Sequence, residues 1–299
     1  MRICVIFNPS ARGNKARHFR DYLDNIAGQS ALKATAVVGD ARRFAAEAIG
    51  EGFDVIVGAG GDGTINDAIN GIADVPGALG RVRFGILPLG TVNVYARELK
   101  IPQGVEAAWA TVQRGNERRV DLPHVTFSAD GVHGGQKKVH FAQLAGAGMD
   151  ARAIELLNPA LKIKIGPLAY VVAGFKAIGE RKPALKVSAN GRALSGEWVL
   201  VGNGKFYGGP FRIFPDADLA DGLLDVCVFP KADFSTLLRC GPAFALRRQL
   251  AGRAVRRLQA ARFEVTADGP AAFELDGEWM GRLPAVFSMG EERLRVLVP

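Results

Sequence analysis

From residue 2 to residue 114 the chain alternates short apolar runs with stretches whose apolar residues recur every three or four positions, a rhythm that few folds accept. Arg2–Phe7, Ala34–Val38, Asp54–Val57 and Arg83–Leu87 read as strands. Ala16–Ala27, Ala41–Gly50 behind a capping Asp40, the stretch marked by Ile65, Ala68, Ile69 and Ile72, Val92–Leu99 and Val105–Arg114 read as helices. Strands traded against helices need crossover connections, so this half is expected to be an α/β domain with a mainly parallel sheet. The pattern changes at Asp121-Leu122-Pro123. Beyond it lie short strand-like runs: Lys138–Ala145, Leu185–Ala189, Glu197–Asn203, Leu223–Phe229, Ala261–Thr266 and Arg293–Val298. Turns such as Asn190-Gly191 and Asp268-Gly269-Pro270 separate them, with helical interludes near Ile154–Gly179 and Phe234–Leu250. This half reads as a β-rich sandwich or open barrel. Two domains are expected, 1–122 and 123–299, with the last strand able to return to the first.

Composition narrows the function classes. Hydrophobic residues make up 48% and charged residues 23%, which excludes a disordered chain. No apolar run reaches the roughly 18 residues of a membrane span, so any membrane contact is expected to be peripheral, at the inner face. Cys4, Cys227 and Cys240 lack metal-type spacing and read as reduced thiols of a cytoplasmic protein. The net charge of +8 suits nucleic acid, anionic lipid headgroups or phosphorylated small molecules as partners, although charge alone reads first as a solvated surface. Its only dense basic cluster is Arg247, Arg248, Arg253, Arg256 and Arg257, without interleaved aromatics, so no nucleic-acid partner is expected.

Gly58-Ala59-Gly60-Gly61-Asp62-Gly63-Thr64 follows a strand and opens a helix. Glycines let backbone approach a phosphate, and a helix N-terminus supplies free N–H groups. A carboxylate at Asp62 would be repelled by phosphate unless Mg²⁺ bridged them, so a metal–nucleotide site is expected there. Leu87-Pro88-Leu89-Gly90-Thr91-Val92-Asn93 and Asn8-Pro9-Ser10-Ala11-Arg12-Gly13 also follow strands. In a parallel sheet all three loops share the carboxyl edge, where ligands bind. Asn8, Gly60, Gly90 and Asn93 are therefore added as nucleotide-binding candidates. Asp276-Gly277-Glu278 is an Asp-Gly turn whose carboxylates suit proton transfer, although in isolation an ordinary hairpin is the better reading. Asp216, Asp218 and Asp221 offer oxygen ligands to a hard cation, or form a solvated acidic loop.

Taken in order, these motifs resemble the diacylglycerol kinase catalytic-domain family, in particular its bacterial lipid kinases, with sphingosine and ceramide kinases as relatives. The resemblance rests on Asn8-Pro9 with Gly13, Gly60–Thr64, Pro88–Thr91 with Asn93, Gly208-Gly209 followed by Pro215, Ala217 and Asp221–Leu223, and Asp276–Glu278. It implies a nucleotide-binding α/β domain like those of NAD kinase and phosphofructokinase, a C-terminal β-sandwich, and an active site between them. It implies ATP contacts at Thr35, Gly61, Asp62, Gly63, Thr64, Ile65, Asn66, Asp67 and Thr91, a general base at Asp276 with Glu278 beside it, and a structural Mg²⁺ on Asp218, Asp221 and the Leu223 carbonyl. Val94 stands where many members carry Asp, which leaves Asp62 and Asp121 as the metal-linked carboxylates and the lipid acceptor open. Arg97 matches the family's arginine. The expectation is a kinase using ATP and Mg²⁺ on a membrane-lipid hydroxyl. A kinase for a soluble acceptor, a non-catalytic nucleotide- or lipid-binding regulator, and a homodimer through sandwich edges remain open.

Overall fold

The computed structural model describes residues 1–11, 13–128, 135–156, 176–180, 182–245 and 255–299. The expected helical stretches at 157–175 and 246–250, together with Arg12, Arg247, Arg248 and Arg253, lie outside the described residues. The chain divides into two compact units, Met1–Leu122 joined by Gly290–Pro299, and Pro123–Met289.

The first unit runs β1 (Ile3–Phe7), α1 (Asn14–Ala27), β2 (Ala31–Ala34), α2 (Asp40–Gly50), β3 (Val55–Gly60), α3 (Asp62–Ala73), α4 (Ala78–Arg81), β4 (Arg83–Pro88), α5 (Val94–Glu98), α6 (Val105–Arg114) and β5 (Glu117–Asp121). The chain's last strand, β20 (Arg293–Leu297), completes a sheet of order β2-β1-β3-β4-β20-β5. Its first five strands are parallel and β5 is antiparallel. Every residue of β3 is buried, as expected of a strand covered on both faces, and this is why its sequence is a continuous small and apolar run. β2 lies three residues before the expected Ala34–Val38. It must match β1 from Cys4↔Ala31 to Phe7↔Ala34, and that register leaves Val38 96% exposed in the following loop. Strand propensity lost there to pairing. Asp40 does not cap α2; its carboxylate accepts the N–H groups of Ala36 and Val37 and folds that loop.

The second unit is a sandwich. Its strands are β6 (His124–Ser128), β7 (Gln136–His140), β8 (Leu144–Gly148), β9 (Leu185–Ala189), β10 (Arg192–Gly196), β11 (Trp198–Gly202), β12 (Phe206–Tyr207), β13 (Phe211–Arg212), β14 (Leu224–Phe229), β15 (Arg256–Ala260), β16 (Arg262–Ala267), β17 (Ala272–Leu275), β18 (Glu278–Arg282) and β19 (Ala285–Ser288). Helix α7 (Met149–Glu155) follows β8, and α8 (Phe234–Ala245) follows β14. One antiparallel sheet has the order β10-β9-β16-β19-β6-β7, the other β15-β14-β11-β8-β17-β18. Phe263, Phe287, Val187 and Phe127 of the first meet Phe273, Leu275, Val201 and Val226 of the second in one core. The second sheet also buries its outer face: Trp198, Leu200, Cys227 and Phe229 pack with Met149 and Cys240. The expected strand Lys138–Ala145 is broken at Phe141–Gln143, which separates β7 from β8 and puts each in a different sheet. Among the described residues no helix is long and apolar enough to cross a membrane.

Candidate active site

In the first unit the three expected loops do lie on one edge, after the adjacent strands β1, β3 and β4. The amides of Leu89 and Gly90 donate to the Gly60 carbonyl at 2.9 and 3.2 Å, and Asn8 N–H donates to Ala59 at 3.2 Å. Glycine is required for this closeness. A Cβ on Gly60 would sit 2.5 Å from Thr64 Oγ1, and one on Gly90 would sit 2.5 Å from Gly61 Cα.

Asp62 opens α3 beside α5. Burial holds its carboxyl above the usual carboxylate range, opposed by the backbone N–H groups of Tyr95, Val94 and Asn93. Position 94 thus meets Asp62 through its main chain. Asp62 Oδ1 is buried and makes no hydrogen bond. One buried, unpaired carboxylate oxygen fits Mg²⁺, a hard cation that keeps waters and takes its remaining ligands from phosphates. Thr64 and Gly63 are half-buried on the same turn and Thr91 is exposed.

Other candidates support the loops rather than point outward. Asn93, at φ 53, is fully buried, and its amide donates to Gly90 at 2.7 Å and Pro88 at 3.4 Å. Ile65 faces the core and its N–H is bonded to Gly61. Thr35 gives both its N–H and its hydroxyl to the Phe7 carbonyl. Asn8 Oδ1 accepts from Ser10 N–H, and Asn66 accepts the Asn70 amide. Asp67 is raised by burial and faces Gly39 N–H and Arg42.

Asp121 is buried and ion-paired with Arg293 at 2.7 Å. It pairs with Arg293, two residues before the Arg295 that lies beside Arg83 at the start of β4. Asp62 follows Gly60, which pairs with Pro88 at the end of β4. The two carboxylates therefore lie toward opposite ends of the sheet and do not form the expected metal-linked pair. A residue the sequence reading missed is Lys15, whose ammonium donates to Gln103 at 2.7 Å; burial, then the charge of Arg97, lowers its pKa. Its position just after the Gly13 turn was the available signal.

In the second unit Asp276 occupies the two-residue turn between β17 and β18. Both Asp276 (φ 49) and Gly277 (φ 87) have positive φ, as a tight hairpin demands. Asp276 Oδ2 accepts Ala142 N–H at 2.7 Å, and Oδ1 accepts Gln143 and Leu144 N–H at 3.0 and 2.9 Å. The break between β7 and β8 is what presents those amides. Asn203, also missed by the sequence reading, fixes them by donating to the Ala142 and Gln143 carbonyls. Glu278 is exposed at the start of β18. In the acidic loop Asp218 Oδ1 accepts Ala220 N–H and Asp221 Oδ1 accepts Leu223 N–H, at 3.0 and 2.9 Å. No group of three or more His, Cys, Asp or Glu side chains is placed to hold a metal among the described residues.

Residues 2–125 match the diacylglycerol kinase catalytic domain, and residues 143–298 match the YegS C-terminal NAD kinase beta sandwich-like domain. The second match alone spans more than half of the chain. The chain belongs to the diacylglycerol kinase family. The diacylglycerol kinase of Bacillus subtilis is 30% identical over all of this family member and 96% of its own length. That of Staphylococcus aureus (strain MRSA252) is 29% identical over 100% and 92%. The crystal structure of a diacylglycerol kinase from Bacillus anthracis shares the fold at a TM-score of 0.71 and 20% identity, covering 100% of this chain and 97% of that one. Yeast NADH kinase complexed with NADH shares it more distantly, at a TM-score of 0.58 and 9% identity over 100% and 84%.

Proposed function

We propose that the protein is an ATP-dependent lipid kinase that phosphorylates a hydroxyl of diacylglycerol or a related membrane lipid. The observation that carries this reading is the cradle at the sheet edge, where Gly60, Gly61 and Gly90 bring two loops into backbone contact around the unpaired Asp62 Oδ1. Gly61, Gly63, Thr64, Gly90 and Thr91 offer main chain and hydroxyls to the phosphates of ATP, with Asn8 and Thr35 on the flanking loops. Lys15 and Arg97 add positive charge. Mg²⁺ held by Asp62 would neutralise charge on the phosphates. Asp276 takes the proton of the attacking lipid hydroxyl, with its plane fixed by three amides, and Glu278 borders it. Positioning and charge neutralisation supply most of the rate in such transfers. Asp218, Asp221 and the Leu223 carbonyl would supply the oxygen ligands of a second, structural Mg²⁺. The lipid and the phosphates require only peripheral contact with a membrane.

The test is γ-labelled ATP supplied with extracted membrane lipids, and separately with NAD and a sugar phosphate. We expect a labelled lipid, no labelled soluble acceptor, and a fall of about 10²–10⁴-fold in Asp276→Asn, the usual loss with a general base. Equal labelling by wild type and Asp276→Asn would remove the assigned base. Label in NAD or the sugar phosphate alone would overturn the lipid.

A further inference from the structure

Two residues before Asp276, the second unit gathers two carboxyl groups, the buried Glu274 and the half-buried Asp150, against one half-buried phenol. Tyr207 Oη lies 2.9 Å from Glu274 Oε1 and within hydrogen-bonding distance of Asp150 Oδ2. A phenol carries one proton and can donate it once. Both contacts are hydrogen bonds only if one of the carboxyls is itself protonated and donates to the phenol oxygen. Asp150 is the better anion, because two backbone N–H groups, that of Ala151 at 2.8 Å and its own, face its carboxyl, against one for Glu274. That leaves the proton on Glu274. Glu274 Oε2 then accepts the Gly277 N–H at 2.7 Å, from the residue immediately after Asp276.

The chain makes room for this group. Gly146 is the register partner of Glu274, and a Cβ there would overlap Asp150 Oδ2 and come within 2.7 Å of Tyr207 Oη. Phe273 and Leu275 enter the sandwich core, so strand alternation sends Glu274 to the opposite face, toward Tyr207. Among the described residues, the titratable groups facing Glu274 are Asp150 from α7, Tyr207 from β12 and Asp276 from its own turn, none of them a cation.

We propose that Glu274 is a positioning residue: as a neutral acid it donates to Tyr207, accepts from Gly277, and so fixes the turn that aims Asp276. This rests on the reading of Asp276 as the base. Burial, followed by the Asp150 charge, holds Glu274 well above its ordinary range, and burial raises Asp150 to about 6. The folded protein therefore binds a proton that the unfolded chain has released. The stabilisation from this group is full below the ordinary glutamate pKa and is lost as pH rises through the folded value.

The test compares Glu274→Gln, Glu274→Ala and Tyr207→Phe with wild type. Infrared spectra above neutral pH should show a buried carboxylic-acid band that Glu274→Gln removes and Asp276→Asn retains. Glu274→Ala should lower kcat by about tenfold or more with little change in the KM for ATP, the pattern of an interaction lost in the transition state. Gln keeps a donor for Tyr207 and an acceptor for Gly277, so it should restore most of that kcat and remove the loss of stability as pH rises. Tyr207→Phe should accelerate amide exchange at Gly277. Absence of the band, or Gln failing where Ala fails, overturns the proposal. A protein that shows the band and the exchange pattern but labels no lipid refutes the kinase reading instead.

Discussion

Asn190-Gly191 and Asp276-Gly277 are both two-residue turns ending in glycine, with φ values of 49 and 73 in one and 49 and 87 in the other. The first is exposed, while the second has its side chain driven into three amides 132 to 134 residues earlier in the chain. Nothing local separates them, so only the resemblance lifted Asp276 above an ordinary hairpin turn. Asn93 shows the converse: a polar residue on a candidate loop whose amide donates to that loop and to Gln103. Because both oxygens of Asp276 accept N–H groups, Asp276→Asn must turn an NH₂ toward a donor. We expect a cost of about 1–3 kcal/mol, the usual penalty for a buried mismatch, visible as a lower Tm. Activity of that variant is therefore to be compared at a temperature where it is folded. Asp62 gives a pH prediction. Burial raises its pKa and cation binding needs its ionised form, so affinity for Mg-ATP should fall as pH falls through that raised value. Titration calorimetry should find this dependence in wild type and a flat, weaker response in Asp62→Asn.

At the scale of elements, what was legible depended on burial. β1, β3 and β4 are continuous apolar runs because the sheet covers both faces, and α6 falls on its expected Val105–Arg114. The strands that went unread include β10, β15 and β18, whose half-exposed polar residues resemble loops. The break in the strand at Phe141–Gln143 was hidden by flanking hydrophobics, although it supplies the amides that hold Asp276. Glycines at element ends make the next prediction. Gly90→Ala should separate the two loops at the sheet edge, since its methyl would sit 2.7 Å from Asn93 Oδ1 as well as against Gly61. ATP affinity should drop by about tenfold or more, equivalent to about 1.4 kcal/mol. Fluorescence titration with a nucleotide analogue measures it, and unchanged affinity would count against the cradle.

For the whole molecule, a charge of +8 spread over a surface of 13915 Å² predicts weak, screened attraction to anionic bilayers. Sedimentation with vesicles containing phosphatidylglycerol should show binding that weakens steadily as salt is added. Salt-independent binding would point to apolar insertion, for which the exposed Phe234 and Leu238 of α8 are the first residues to test. The return of β20 has a different outcome. Leu294, Val296 and Leu297 lie buried between β4 and β5, yet they are encoded after the whole of the second unit. During translation the first unit's sheet stays a strand short while the 167 residues of the second unit emerge. A nascent chain therefore holds an open edge at β4, and a premature stop anywhere in the second unit damages the first.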